Sequence, residues 1–219
     1  MKFGILTTTA LLIAMGFASG VKAENVSQVK QLLETKECSK CDLTGAQLAG
    51  ADLSGADLSG ANLSGANLNG ANLNEAKLNE ANLQQAKLQG ASLIAARMHG
   101  VNLQGADLTR ANLSLAGLVI ASLKNTNLTN ANLVGANLES ANLAGANMKN
   151  ARQSIANLAN VSLRGGSLSG IDVLGVNLRD ANLTGANLTG ANLNGSDLTG
   201  ANLKDANMAN VDLKNAALP

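Results

Sequence analysis

The sequence lacks most of the side chains on which catalysis and base recognition depend. Of 219 residues, two are Phe, one is Pro, one is His, and none is Trp or Tyr. A lone His leaves no spaced triad and no set of metal ligands, and no aromatic side chain is available for nucleobases to stack on. There is also no phosphate-binding loop. We therefore expect a protein that is not an enzyme and that needs no cofactor and no metal.

The chain also lacks an excess of either charge. Sixteen Lys and Arg face 15 Asp and Glu, for a net charge of +1, and the linear sequence shows no basic stripe. Direct nucleic-acid binding is therefore not expected.

What the sequence does contain is a five-residue repeat that runs from Cys41 to Pro219 without a slip. Leu or a substitute occupies every fifth position from Leu43 to Leu218, and a small residue lies two positions earlier. A helix would scatter these leucines around its surface, and a straight strand would send them alternately to opposite faces. A short extended segment followed by a turn keeps them all inside. The repeat thus predicts an all-β solenoid with leucines stacked in its lumen.

The run GANLS-GANLN-GANLN, which begins at Gly60, follows the pattern A-[DN]-L-x-x and resembles the pentapeptide-repeat family. The resemblance covers residues 41–219. It implies a right-handed quadrilateral β-helix with four repeats per coil, and therefore about nine coils. The family is abundant in cyanobacteria, so the resemblance also suggests an exported member in a periplasm or a thylakoid lumen.

Residues 1–23 are typical of a signal peptide. Lys2 supplies a positive charge, residues 4–17 are apolar, and Ala23 ends a segment with small residues at the cleavage positions. Cleavage before Glu24 is expected, and the alternative is an uncleaved anchor. No other segment of the sequence is suited to cross a membrane.

Residues 24–40 are expected to close the N-terminal end of the solenoid. The pattern predicts a helix over Asn25–Lys36 with Ser27 as its cap, because apolar residues recur on one face. These residues are Val26, Val29, Leu32 and Leu33.

Cys38 and Cys41 are the only cysteines. When the repeat is extended backwards, both occupy inward positions at the first corner. An exported chain with two cysteines favours a structural disulfide. Free thiols, a redox-active pair and a zinc site are the alternatives, although His99 is far along the repeat.

Apolar residues occupy outward positions between residues 94 and 134, where Ser, Asn or Gly normally occur. They are Ile94, Leu115, Val119, Ile120 and Val134. We name these five residues the apolar patch, and His99 is expected at its edge. Exposed apolar patches often mark partner sites, whereas single exposed apolar residues are ordinary.

Other irregularities are expected inside the repeat and at its end. Gln153 replaces a core Leu, and Gly166 replaces a core Ala. Residues 20 apart should stack, which predicts an exposed ion pair between Asp57 and Lys77. The last coil is expected to be uncovered and suited to an end-to-end homodimer. Its inward residues are Ala201, Leu203, Ala206, Met208, Val211, Leu213, Ala216 and Leu218.

The function expected from these features is an extracytoplasmic scaffold or protein-interaction module whose protein partner is not specified by the sequence. The alternative is a topoisomerase-binding protein that mimics DNA, as some members of the family do. Near-neutral charge, an uninterrupted repeat and the export signal all disfavour that alternative.

Overall fold

The computed structural model describes residues 23–152, 156–171 and 173–219. The proposed signal sequence, apart from Ala23, and the irregular position Gln153 lie outside the described residues.

Helix α1 spans Ala23–Thr35. It begins two residues before the predicted start, so Ser27 lies inside the helix and the prediction that it caps the helix was wrong. The side chain of Asn25 anchors the helix, because its Nδ2 donates to the carbonyl oxygen of Thr44 at 2.7 Å. The predicted apolar face is confirmed: Val29 and Leu32 are buried and belong to the core, while Val26 and Leu33 are half-buried.

After the helix the chain winds into a solenoid. Within the described ranges the β contacts are single-residue parallel bridges, and each joins residues 20 apart, as in Asp42 with Asn62. Two hydrogen bonds flank that bridge: Leu43 N donates to Asn62 O at 2.7 Å, and Asn62 N donates to Cys41 O at 2.8 Å. Because the repeat has five residues, a spacing of 20 places four repeats in each turn of the coil.

The lumen is filled as the sequence predicts. Leu side chains from Leu43 to Leu198 are 0–1% exposed, and the Ala residues two positions before them are also buried. Burial of one Leu contributes about 1.5–3 kcal/mol, so the stacked leucines form a continuous core without aromatic residues. Gly166 replaces Ala where the backbone is close, because a Cβ there would lie 3.1 Å from the carbonyl oxygen of Leu163.

Each corner is a β-turn. At the first complete one, Ala46 N donates to Leu43 O at 3.0 Å, and Gly45 has φ of +67°. A positive φ at the third residue alone is the pattern of a type II turn, which favours Gly or Asn at that position. The fifth residue of nearly every described repeat shares this left-handed conformation.

The outward Asn and Asp residues stabilise these turns. Oδ1 of Asn62 accepts a hydrogen bond from the backbone N–H of Ser64 at 3.2 Å, which is an Asx turn. The Nδ2 of Asn82 in turn donates to Oδ1 of Asn62 at 3.1 Å. The repeat therefore needs an amide or a carboxylate at this position, both to hold its own turn and to bond to the next coil.

Candidate functional site

Two residues of the apolar patch combine solvent exposure with an unfavourable backbone conformation. Leu115 is 63% exposed with φ of +62°, and Ile120 is 54% exposed with φ of +52°. A β-branched residue with positive φ is a genuine conformational outlier. Each of these residues costs roughly 1–2 kcal/mol in the left-handed region, and exposure of the side chain returns none of that energy.

The face between these two corners has a gap at Gly117. This is the one outward middle position in the sequence that is Gly. Its φ is not positive, and a Cβ added there would meet no atom within 4 Å. Backbone geometry therefore does not require Gly117. Its effect is to remove one side chain from the column between Arg97 and Asn137, with which it forms bridges.

The missing side chain leaves a shallow depression of about 300 Å³. Leu115 and Val119 lie on its two sides, and Arg97 and His99 lie at its lower edge. The depression is therefore apolar on its flanks and cationic at one end.

The lower edge of the depression is held by the coil beneath it. Oδ1 of Asn79 accepts from the N–H of His99 at 3.1 Å, and Oδ1 of Asn74 accepts from the N–H of Ile94 at 3.0 Å. These bonds replace the Asx turns that Arg97 and Ser92 cannot make, so the corners stay fixed although the usual outward Asn is absent.

The guanidinium group of Arg97 has no ion-pair partner among the described residues. The Lys below it is already paired, since Nζ of Lys77 lies 3.1 Å from Oδ2 of Asp57. Hydrogen bonds from Ser59, together with Lys77, hold the pKa of Asp57 below its usual range. The positive charge at the lower edge is therefore free to meet an external anion.

The structure brings the predicted patch together on two corners. Leu115 N donates to Val134 O at 3.0 Å, and Ile94 lies on the same corner below them. Val119 and Ile120 form the other corner, across Gly117. Ile94, Val119 and Val134 are half-buried, so Leu115 and Ile120 supply most of the exposed apolar surface.

Two features of this region escaped the sequence analysis. Leu174 is 48% exposed and continues the corner of Ile94 and Val134. The same rule that found those two residues applies to it, because 174 exceeds 134 by two periods of 20. Gly117 was also missed, although its substitution at an otherwise polar position was visible in the sequence.

Cys38 and Cys41 are joined in a disulfide, with their Cα atoms 5.3 Å apart. Both residues face inward and are buried, as the register predicted. The bond closes the corner where α1 meets the first coil.

The charged residues are not evenly spread around the rod. Exposed cations gather on the side opposite the patch, while Glu75, Glu80, Glu139 and Asp180 lie on the corners beside the patch. The expectation that the chain carries no basic stripe was wrong, because the coil brings together residues that are about 20 or 40 apart in sequence.

Two further observations concern the described residues. No group of three or more His, Cys, Asp or Glu residues within them is arranged to hold a metal ion. No helix there has the length and apolar character needed to cross a bilayer.

Comparison with known proteins identifies the class. Eight copies of the pentapeptide repeats family match residues 41–79, 76–114, 121–152, 156–195 and 181–218. The chain therefore belongs to the pentapeptide-repeat family, whose members form right-handed β-helical solenoids.

Solved structures of the family resemble it. HetL, a protein involved in heterocyst differentiation regulation from the cyanobacterium Nostoc sp. strain PCC 7120, is 31% identical, with 80% of this chain and 91% of HetL covered and a TM-score of 0.34. A pentapeptide repeat protein from the Arabidopsis thaliana thylakoid lumen is 29% identical, with 65% and 71% covered and a TM-score of 0.26. QnrB1, a plasmid-mediated fluoroquinolone resistance protein, is 24% identical in a trypsin-treated form, with 84% and 87% covered and a TM-score of 0.42. No curated protein matches the chain.

Proposed function

We propose that the mature chain is a non-enzymatic extracytoplasmic scaffold that binds a protein partner through the apolar patch. The observation that carries this proposal is the coincidence of strain and exposure at Leu115 and Ile120. Residues in sparsely populated backbone regions cluster at functional sites, where the binding partner recovers the energy that the free protein lacks. The neighbouring corners use Gly or Asn, so the strain is specific to this region.

The surroundings of the patch define the chemistry of the partner. The depression over Gly117 accommodates one apolar side chain between Leu115 and Val119. The unpaired guanidinium of Arg97 lies at the end of the same depression and attracts a carboxylate. The expected ligand is therefore a protein segment that carries an apolar residue next to an acidic one.

A site-specific photo-crosslinker tests this proposal. It is placed at Ser140, an exposed corner residue above Ile120, and for comparison at Asn150, an exposed corner residue with nearly the same φ on the opposite corner. In the native extracytoplasmic fraction, crosslinking from Ser140 should yield one protein, and the crosslinked segment should be acidic and apolar. The crosslink should disappear in Gly117→Asn and Ile120→Asn variants.

Two results would contradict the proposal. One is the same crosslinked product from Ser140 and Asn150, since that product would not depend on the patch. The other is a crosslink that survives both substitutions. A supercoiling assay separates the topoisomerase-binding alternative, which near-neutral charge and the expected export continue to disfavour.

Three finer assignments accompany the proposal. We propose that the solenoid has nine coils, and that residues 24–40 form its N-terminal cap because Val29 and Leu32 of α1 pack on the core. We place the protein in a periplasm or a thylakoid lumen, on the pattern of residues 1–23. We also propose end-to-end pairing through the last coil, where Val211 and Leu213 are only half-buried and Leu218 is 55% exposed.

A further inference from the structure

A second surface lies on the side of the rod opposite the apolar patch. It is the flat face that contains Lys87, Asn127 and Asn147, bounded by two corners. One corner carries Lys124, Arg164 and Lys204, and the other carries Arg110 and Lys149. We name it the cationic face.

The backbone ladder fixes the positions of these cations. On the first corner, Gly105 N donates to Lys124 O and Gly145 N donates to Arg164 O, both at 3.0 Å. Through Asn125, Lys124 is one coil below Ala144, and Gly145 connects that coil to Arg164. Lys124 and Arg164 are thus two coils apart, or roughly 10 Å at about 4.8 Å per strand spacing.

The second corner repeats this spacing. Arg110 N donates to Thr129 O, and Asn130 N donates to Lys149 O, both at 3.0 Å. Arg110 and Lys149 are therefore also about two coils apart. The cations form two columns parallel to the rod axis, with the same repeat along each.

These charges are available to a ligand. Lys87, Arg110, Lys124, Lys149 and Arg164 are all exposed, and none has an ion-pair partner among the described residues. The nearest carboxylate on the face, Asp107, is engaged otherwise: Gln89 Nε2 donates to its Oδ2 at 2.6 Å, and Thr109 Oγ1 donates to its Oδ1 at 2.6 Å.

The face between the two columns is polar and has no apolar anchor. Asn127, Asn147 and Ser167 occupy its outward positions, and the whole chain has no Tyr or Trp. A peripheral membrane contact usually adds an apolar or aromatic insertion to its charges, and single-stranded nucleic acid needs stacking platforms. The face offers neither, and instead offers hydrogen-bonding groups flanked by regularly spaced cations.

We propose that the cationic face binds a linear anionic polysaccharide laid along the rod axis, with uronate carboxylates against the Lys and Arg columns. An extended 1,4-linked uronate chain turns the carboxylates of alternate sugars to the same side, which gives one anionic group per two sugars, as the columns give one cation per two coils. The sugar hydroxyl groups lie over the Asn and Ser side chains. The proposal is independent of the apolar patch, which faces the other way.

The test uses the mature full-length protein and β-1,4-linked glucuronate oligomers, with cello-oligosaccharides of equal length as the neutral counterpart. Binding is measured by fluorescence anisotropy at low and physiological ionic strength. We expect the glucuronate oligomers to bind, with affinity that rises with length up to a chain that spans Lys124 to Lys204, about 19 Å over four coils. Added salt should weaken the binding, and the neutral oligomers should not bind.

A charge-matched pair of variants locates the site. Lys124→Gln/Arg164→Gln should weaken binding about 30-fold, taking each basic side chain near a densely anionic partner as worth roughly a factor of five. Lys40→Gln/Lys214→Gln removes two exposed cations from the opposite side and should leave the affinity unchanged within about twofold. Circular dichroism confirms that both variants keep the fold.

Several outcomes overturn the proposal. Absence of glucuronate binding does so directly, and an equal loss in both double variants would reduce the effect to net charge. Tighter binding to phosphatidylglycerol vesicles or to duplex DNA than to the glucuronate oligomers would assign the face to a different class of partner.

Discussion

Lys77 and Asp57 lie on adjacent coils of one column, with Nζ of the lysine 3.1 Å from Oδ2 of the aspartate. The other carboxylate oxygen of Asp57 accepts from the N–H of Ser59 at 3.1 Å. One side chain thus holds its own turn and bonds to the next coil. The ion pair is partly exposed and contributes less than about 1 kcal/mol, so the turn bond is the more important of the two.

Stability should fall in acid because of such carboxylates. Hydrogen bonds from Ser54, Ser59 and Thr199 hold the pKa values of Asp52, Asp57 and Asp197 below their usual range. Burial alone would raise the pKa of Asp107, but hydrogen bonds from Thr109 and Gln89 outweigh it and lower the pKa. A pKa that is lower in the folded state gives stability above the unfolded pKa of about 3.9, and that stability is lost as the pH falls through the folded value.

The variant in which these four aspartates become Asn tests the effect. Asn keeps the Oδ1 acceptor, so we expect a melting temperature near the parent's at pH 7 and a smaller decrease at pH 3. Glu75→Gln/Glu80→Gln is the control for lost negative charge, because these corner residues cap no turn in this way. Equal acid sensitivity of the parent and the fourfold variant would contradict the explanation.

Gly117→Asn should stabilise the protein. The new Oδ1 would accept from the N–H of Val119, and the amide would complete the column between Arg97 and Asn137, in space that holds no atom within 4 Å of the Cβ. A gain of about 1 kcal/mol is expected. Gly166→Ala is the contrasting change and should destabilise, because its Cβ would crowd the carbonyl of Leu163. Calorimetry measures both, and a loss of stability in Gly117→Asn would contradict the prediction.

Ile120→Asn should stabilise the protein by about 1 kcal/mol, because Asn tolerates the left-handed conformation and Ile does not. Asn125 already occupies the equivalent position at another corner, with φ of +57°. The reciprocal change Asn125→Ile should therefore destabilise by a similar amount. Urea unfolding of the two variants should show opposite shifts in midpoint, and shifts of the same sign would refute the strain argument.

Reduction of the Cys38–Cys41 disulfide should change stability only modestly, because it closes a loop of few residues and sits at the low end of roughly 0–5 kcal/mol. Intact mass should rise by two hydrogens on reduction, and alkylation should require reduction first. Free alkylation of both thiols in the untreated mature protein would contradict the disulfide.

The mature protein should begin at Glu24. N-terminal sequencing of protein from its native host tests this, and recovery of Met1 would show that the segment is retained.

Much of the fold follows from the sequence because each requirement is local. The period of five and the small residue before each Leu dictate which side chains enter the lumen, and the ion pair of Asp57 with Lys77 follows once 20 residues make a coil. The start of α1 did not follow, since Asn25 is held by Thr44, a contact between distant parts of the chain.

The surface was harder to predict. Exposure and backbone strain at Leu115 and Ile120 arise only after the corner adopts positive φ, which apolar residues do not signal. The cationic face was hidden because Lys124 and Arg164 are 40 residues apart in sequence, and a near-zero net charge averages over all four sides of the rod.

The 20-residue coil has a consequence for how such a chain can change by insertion and deletion. Loss or duplication of five residues keeps every leucine in the lumen, but it rotates all later side chains by a quarter turn around the rod. An alteration of that size between Leu115 and Arg164 would leave a well-folded protein whose two surfaces no longer face in opposite directions. Only events of 20 residues lengthen or shorten the rod while each column stays intact, so the genetic unit that preserves folding is four times smaller than the unit that preserves recognition.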